Sequence, residues 1–107
     1  MARKWGNKMA VAGKKHPFKS KSIDKSPRKS GVYALYGEGK VIYYGATSKS
    51  IRNRLRRHLH GDDGSCTQTA THYKFERTSR PKKKERKLLR AYEAKHENLP
   101  HCNERQG

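Results

Sequence analysis

The chain has 107 residues, 27 Lys or Arg against 9 Asp or Glu, a net charge of +18 and only 31% hydrophobic residues. That length supports one small domain at most. No apolar run of about 18 residues exists to cross a bilayer, and the basic start, Met1 to Lys8, has no apolar stretch of signal-peptide length behind it. The expectation is a soluble, cytoplasmic protein in which Cys66 and Cys102, too few for a disulfide framework, are free thiols. A field of this size calls for an anionic partner, and nucleic acid comes first, because each phosphate neutralised by Lys or Arg releases counterions. A solvated basic surface, or a protein that only packs against RNA, would carry the same composition.

Residues 1–30 hold ten Lys or Arg and one acid, Asp24, with few apolar positions beyond Trp5, Met9, Val11, Phe18 and Ile23, and read as a basic arm. Residues 31–107 read as the domain, because their apolar residues are periodic. Gly31–Tyr36 and Lys40–Tyr44 are β-branched and aromatic runs separated by Gly37-Glu38-Gly39, which predicts a β-hairpin. Ser48 or Ser50 then offers a helix cap, Ile51, Leu55 and Leu59 recur at helical spacing, and Gly61 supplies a stop. Residues 61–69 read as loop, and Tyr73 and Phe75 alternate with His72, Lys74 and Glu76 in a third strand. A second helix opens at Ser79 and Pro81, buries a stripe of Leu88, Leu89 and Tyr92, and ends by Leu99-Pro100. The order β-β-α-β-α predicts a small mixed α/β domain with a three-stranded antiparallel sheet flanked by helices.

Glu85 stands three, four and seven residues before Leu88, Leu89 and Tyr92, which puts a carboxylate on the apolar stripe, where it is costly unless paired or metal-bound. An ion pair with Lys or Arg of the same helix is the plain alternative. Arg54 and His58 are four apart and share a face of the first helix, where a guanidinium beside an imidazole can hold a phosphodiester and assist proton transfer. Arg52, Arg56 and Arg57 point elsewhere on that helix. With Lys82, Lys83 and Lys84 they are candidate nucleic-acid contacts. Tyr33 and Tyr43 have the parity to share one face of the hairpin, although aromatic strand residues are more often there to pack. Zinc is a competing metal, with Cys66, Cys102, His58, His60, His72 and His101 as donors, but no Cys or His pair has finger spacing.

Gly31-Val32-Tyr33 followed, across the hairpin, by Tyr43-Tyr44-Gly45 resembles the paired signature of the GIY-YIG nucleases. Arg54 and His58 resemble that family's first-helix arginine and the histidine four residues after it, with Arg52 the alternative because the stretch after Gly45 is slightly longer than the family's. Glu85 before Leu88, Leu89 and Tyr92 looks like its metal-binding glutamate, and Asn103 after Pro100 like its C-terminal asparagine. The resemblance covers residues 31–103 and implies a metal-dependent endonuclease hydrolysing phosphodiester bonds, with DNA ahead of RNA as partner, no membrane and no obligate protein partner. It implies Glu85 as ligand of one Mg2+ or Mn2+, Tyr33 as base, Arg54 on the phosphate, Tyr43 and His58 as hydrogen-bonding groups, and Asn103 fixing backbone or phosphate geometry. The rival from another class is a non-catalytic basic DNA- or RNA-binding module.

Overall fold

A computed structural model of the chain describes residues 10–106. The elements in chain order are β1 (His16–Pro17), α1 (Ser20–Ile23), β2 (Gly31–Gly37), β3 (Lys40–Thr47), α2 (Ile51–His60), a 3-10 turn (Thr67–Thr69), β4 (His72–Arg77), α3 (Pro81–His96) and α4 (His101–Gln106). All strand pairs are antiparallel, and the sheet runs β1-β4-β2-β3. The hairpin turns through Glu38 (φ 54°) and Gly39 (φ 80°), and a register shift opposite Leu35 and Tyr36 leaves Ile42 as an extra residue that bends its second strand. Ser50 caps α2, its hydroxyl accepting from the Asn53 N–H at 3.1 Å, and Gly61 closes the helix at φ 83°.

β2 is the central strand, and its residues 31–36 are buried on both sides, so the sheet divides two cores. On one face Tyr33, Leu35, Tyr43 and Tyr73 pack against Ile51 and Leu55 of α2, with Phe18, Ile23 and Cys102 closing the edges. On the other, Val32, Ala34, Tyr36 and Tyr44 pack with Val11 against Leu88 of α3, and Leu89 and Tyr92 lie partly buried beside them.

Four expectations are corrected. The sheet has four strands, because His16 and Pro17 pair with Tyr73 and His72 of β4, a two-residue strand too short to leave a periodicity. The boundary at residue 30 does not hold for the described part of the basic segment: Val11 (1% exposed), Phe18 (8%) and Ile23 (0%) are core residues, so the domain includes them. Trp5 and Met9 lie outside the described residues. The cysteines are not free thiols but form the Cys66–Cys102 disulfide, with Cα atoms 5.6 Å apart and a sequence separation of 36. Finally, α3 starts from Arg80 without a side-chain cap, stops at Glu97 (φ 66°), and is followed by α4, which carries Cys102 and Asn103 beside β3.

Candidate active site

Strand parity directs Tyr33 of β2 and Tyr43 of β3 to the α2 face. Tyr33 is opposite Gly45, and its ring occupies the space a side chain there would need: a Cβ on Gly45 would overlap the Tyr33 ring and hydroxyl. The glycine therefore aims the phenol. Tyr33 and Tyr43 have ring centroids 6.2 Å apart, and both rings face His58 of α2, at 5.6 and 4.9 Å.

His58, which is fully buried, stands between two hydroxyls. Its Nε2 is 2.8 Å from Tyr33 Oη and its Nδ1 is 2.8 Å from Thr67 Oγ1 in the 3-10 turn. A neutral imidazole has one donor and one acceptor nitrogen, so the line has a direction. If Tyr33 donates to Nε2, then Nδ1–H donates to Thr67. Burial holds the His58 pKa down at about 4, against the pull of Asp63 and with help from Arg54 and Arg57, so the ring is neutral at pH 7. Its 3.8 Å approach to Asp63 is therefore not an ion pair. Burial likewise pushes the Tyr33 phenol far above its ordinary value, with nearby Tyr43 adding and Arg54 opposing; Tyr43 is raised by burial as well.

Arg54, one turn before His58, donates from Nη1 to the Ala46 carbonyl at 3.3 Å. Its Nε is buried and is the one such side-chain polar atom without a hydrogen-bond partner among the described residues, 4.0 Å from Asp63 Oδ2. Arg52 is committed elsewhere, its Nε donating to the Ser26 carbonyl at 2.8 Å. Of the two candidates, Arg54 is the one beside the tyrosines. Glu85 is half-buried at the edge of its stripe and makes no ion pair within 4.0 Å among the described residues, so the plain alternative of pairing on its own helix is not realised. Burial raises its pKa while Lys82, Arg54 and Arg86 pull it down. A half-buried oxygen ligand with no cation of its own fits a hard divalent ion that keeps most of its waters.

Asn103 reaches the backbone rather than the cluster. Its Oδ1 accepts from the Tyr44 N–H at 2.9 Å and its Nδ2 donates to the Tyr44 carbonyl at 3.1 Å. β3 is an edge strand, so Asn103 satisfies the outward backbone groups between Tyr43 and Gly45.

A family model, that of the GIY-YIG catalytic domain, matches residues 29–98 of the 107. The chain belongs to the GIY-YIG family. No curated protein matches it. GIY-YIG domains are generally endonucleases and typically use divalent metals, so the function of this GIY-YIG domain is of the nuclease type.

The basic residues around the site fall into two groups. Arg56 pairs with Asp24 and Arg57 with Asp63, each at 2.7 Å, and Arg52 is held by Ser26, so the α2 arginines have partners inside the protein. Lys82 instead lines a cleft of about 360 Å³ beside Arg54, together with Ser48, Lys49, Ser50 and Asn53. Lys83 and Lys84 line another with Arg80 and Lys87, Lys84 being paired with Glu76 at 3.3 Å, and Lys29 and Arg77 line a third. No acid lines any of the three. All lie at the end of the sheet where β2 begins and β3 and β4 finish.

Of the zinc candidates, only Cys66, His101 and Cys102 come together, with ligand atoms within 4.8 Å of one another, and the disulfide removes both thiolates a metal would need. Sequence reasoning missed Asp63 and Thr67. Asp63 carried a faint signal, since Asp62 and Asp63 form an acidic pair directly after an arginine-rich helix. The hydrogen bonds from Arg57 hold its carboxyl below the usual range. Thr67 carried none.

Proposed function

We propose that the chain is a divalent-metal-dependent endonuclease that hydrolyses phosphodiester bonds, with DNA as substrate. The observation that carries this reading is the buried Tyr33–His58–Thr67 line lying beside Arg54, whose buried Nε makes no hydrogen bond, in a protein of charge +18. Glu85 holds the metal, Mg2+ or Mn2+, which when bound polarises the phosphate and acidifies its water.

The remaining roles belong to side chains of this chain. A phenol raised by burial does not work as a free phenolate near neutral pH, so Tyr33 passes its own proton to His58 Nε2 as it accepts one from the attacking water. Nδ1–H stays on Thr67, and Asp63 offsets the charge that develops on the ring. Arg54 turns its guanidinium, whose Nε makes no hydrogen bond, to the charge growing on phosphate. Tyr43 orients the water or phosphate, and Asn103 keeps the β3 edge in place. The clefts lined by Lys82 and Lys83 take the flanking phosphates, and the partnered Arg52, Arg56, Arg57 and Lys84 contribute less. DNA is favoured over RNA by the family resemblance alone.

The test is nicking of supercoiled plasmid with Mg2+ or Mn2+, with and without chelator, alongside labelled duplex, flap, bubble and single-stranded DNA and RNA. Metal-dependent turnover on DNA is expected. Tight, salt-dependent binding to these substrates with no cleavage of any of them would leave the binding-module reading instead.

A further inference from the structure

The Cys66–Cys102 disulfide joins two parts of the active-site support covalently. Cys66 immediately precedes Thr67, whose hydroxyl fixes the Nδ1 side of His58 at 2.8 Å. Cys102 immediately precedes Asn103, whose amide holds both backbone groups of Tyr44, between Tyr43 and Gly45. One covalent bond therefore stands one residue from each of two contacts that support the Tyr33–Tyr43–His58 cluster.

Each part is also held on its own side. Thr67 is fully buried, Ala70 joins the α2-side core, and the Gln68 amide donates to the Leu59 carbonyl at 3.2 Å, an exposed bond. α4 is six residues long and rests against β3 through Asn103 and the buried Pro100 and Cys102. The sheet, α2 and α3 supply most of both cores, with Ala70 and Cys102 contributing to the α2-side core and Cys66 packed against it.

We propose that this disulfide is a positioning tie for the catalytic cluster, and that a dithiol reductant slows cleavage by releasing Thr67 from His58 and Asn103 from Tyr44 while leaving the fold intact. The inference rests on the nuclease reading for its consequence, though not for its geometry. Cys66 is half-buried and Cys102 is fully buried, so exchange enters at Cys66. A thiolate of the dithiol attacks Cys66 Sγ, the Sγ–Sγ bond breaks, and Cys102 leaves as a thiolate that takes up a proton. The second thiolate of the reductant then attacks the mixed disulfide, frees Cys66 to take a proton, and closes the reductant into its own cyclic disulfide. Two electrons pass from the reductant to the cysteine pair. The loss expected is in turnover rather than substrate affinity, because the basic clefts lie at the strand ends and include neither cysteine.

The experiment compares oxidised wild type, the same protein reduced with dithiol, the reoxidised protein, and the Cys66→Ala/Cys102→Ala double variant. Single-turnover cleavage, KM, circular dichroism and 15N NMR of the His58 ring are measured on each. Reduction should lower kcat by roughly tenfold to a hundredfold, the range reached by small misplacements of catalytic groups, with KM nearly unchanged, native circular dichroism and full recovery on reoxidation. The double variant should sit at the low rate and ignore reductant. The His58 ring should show one fixed tautomer when oxidised and averaged nitrogen shifts when reduced. A tautomer change on reduction in a protein that cleaves no substrate would keep the tie and defeat the nuclease reading. Reduced wild type that retains both its cleavage rate and its fixed tautomer would overturn the tie, as would a rate loss that only tracks unfolding.

Discussion

On the α3 side of the sheet the buried side chains are Val11, Val32, Ala34, Tyr36, Tyr44 and Leu88, an apolar set in which the tyrosines serve mainly as rings. On the α2 side the same strands bury Tyr33 and Tyr43 with His58 and Thr67, and hydrogen bonds at 2.8 Å join Tyr33 to His58 and His58 to Thr67. The two signature glycines show the same division. A Cβ on Gly31 would overlap the Glu76 carbonyl of β4, so Gly31 protects strand pairing, whereas a Cβ on Gly45 would overlap Tyr33, so Gly45 protects the aim of a reactive group. One face supplies a rigid backing. The other tolerates buried polar groups, which fold at a cost unless each is satisfied, and it is where chemistry is expected.

The sharpest way to break that comparison is to remove one hydroxyl from each face. Tyr33→Phe should lower the single-turnover rate by about 10²- to 10⁴-fold, the contribution usual for proton transfer, while costing about 1 kcal/mol of stability because His58 Nε2 loses its partner. Tyr44→Phe should leave the rate close to wild type. Equal effects, read by cleavage and thermal melting together, would erase the distinction between the faces.

Arg54→Ala should lower the rate by about 10²- to 10³-fold, as for other groups aimed at developing charge, whereas Arg52→Ala should change mainly stability through the lost bond to the Ser26 carbonyl. A reversal, with Arg52 the residue that cleavage depends on, would move the family arginine to that position.

Acid should unfold the α2 face first. The His58 pKa of about 4 lies below the ordinary 6.5, so between those values the unfolded chain binds a proton that the folded one refuses. The stability His58 provides is complete above pH 6.5 and is lost as pH falls toward 4, a span worth about 3 kcal/mol. Chemical denaturation across that window should show the loss in wild type and a flatter profile in His58→Gln.

The smallest effect belongs to the edge. Asn103→Ala removes two hydrogen bonds at Tyr44 and should cost about 1–2 kcal/mol, measured by thermal melting.

How far the sequence carries varies along the chain for physical reasons. The parity of Tyr33 and Tyr43, the four-residue step from Arg54 to His58 and the place of Glu85 before Leu88 are local periodicities, and each survives into the structure as geometry. β1 is two residues long and exists only because β4 is there to pair with it, so no pattern marks it. Val11, Phe18 and Ile23 are diluted by ten basic residues, and charge hides that they are core. Asp63, Thr67 and the cysteine pairing depend on the path of the loop after Gly61 and on α4 returning to β3, which are tertiary outcomes without a periodic signature.

The central claim, a metal-dependent nuclease with Glu85 as ligand, is tested most directly by replacing that carboxylate with its neutral amide. Wild type and Glu85→Gln, matched for fold by circular dichroism, are compared in single-turnover cleavage of one labelled DNA over a Mg2+ and Mn2+ titration. The account predicts metal-saturable cleavage by wild type and none by Glu85→Gln, which binds the DNA as tightly or more tightly because a negative charge near the phosphates is gone. Cleavage by Glu85→Gln at the wild-type rate and with the same metal dependence would contradict it.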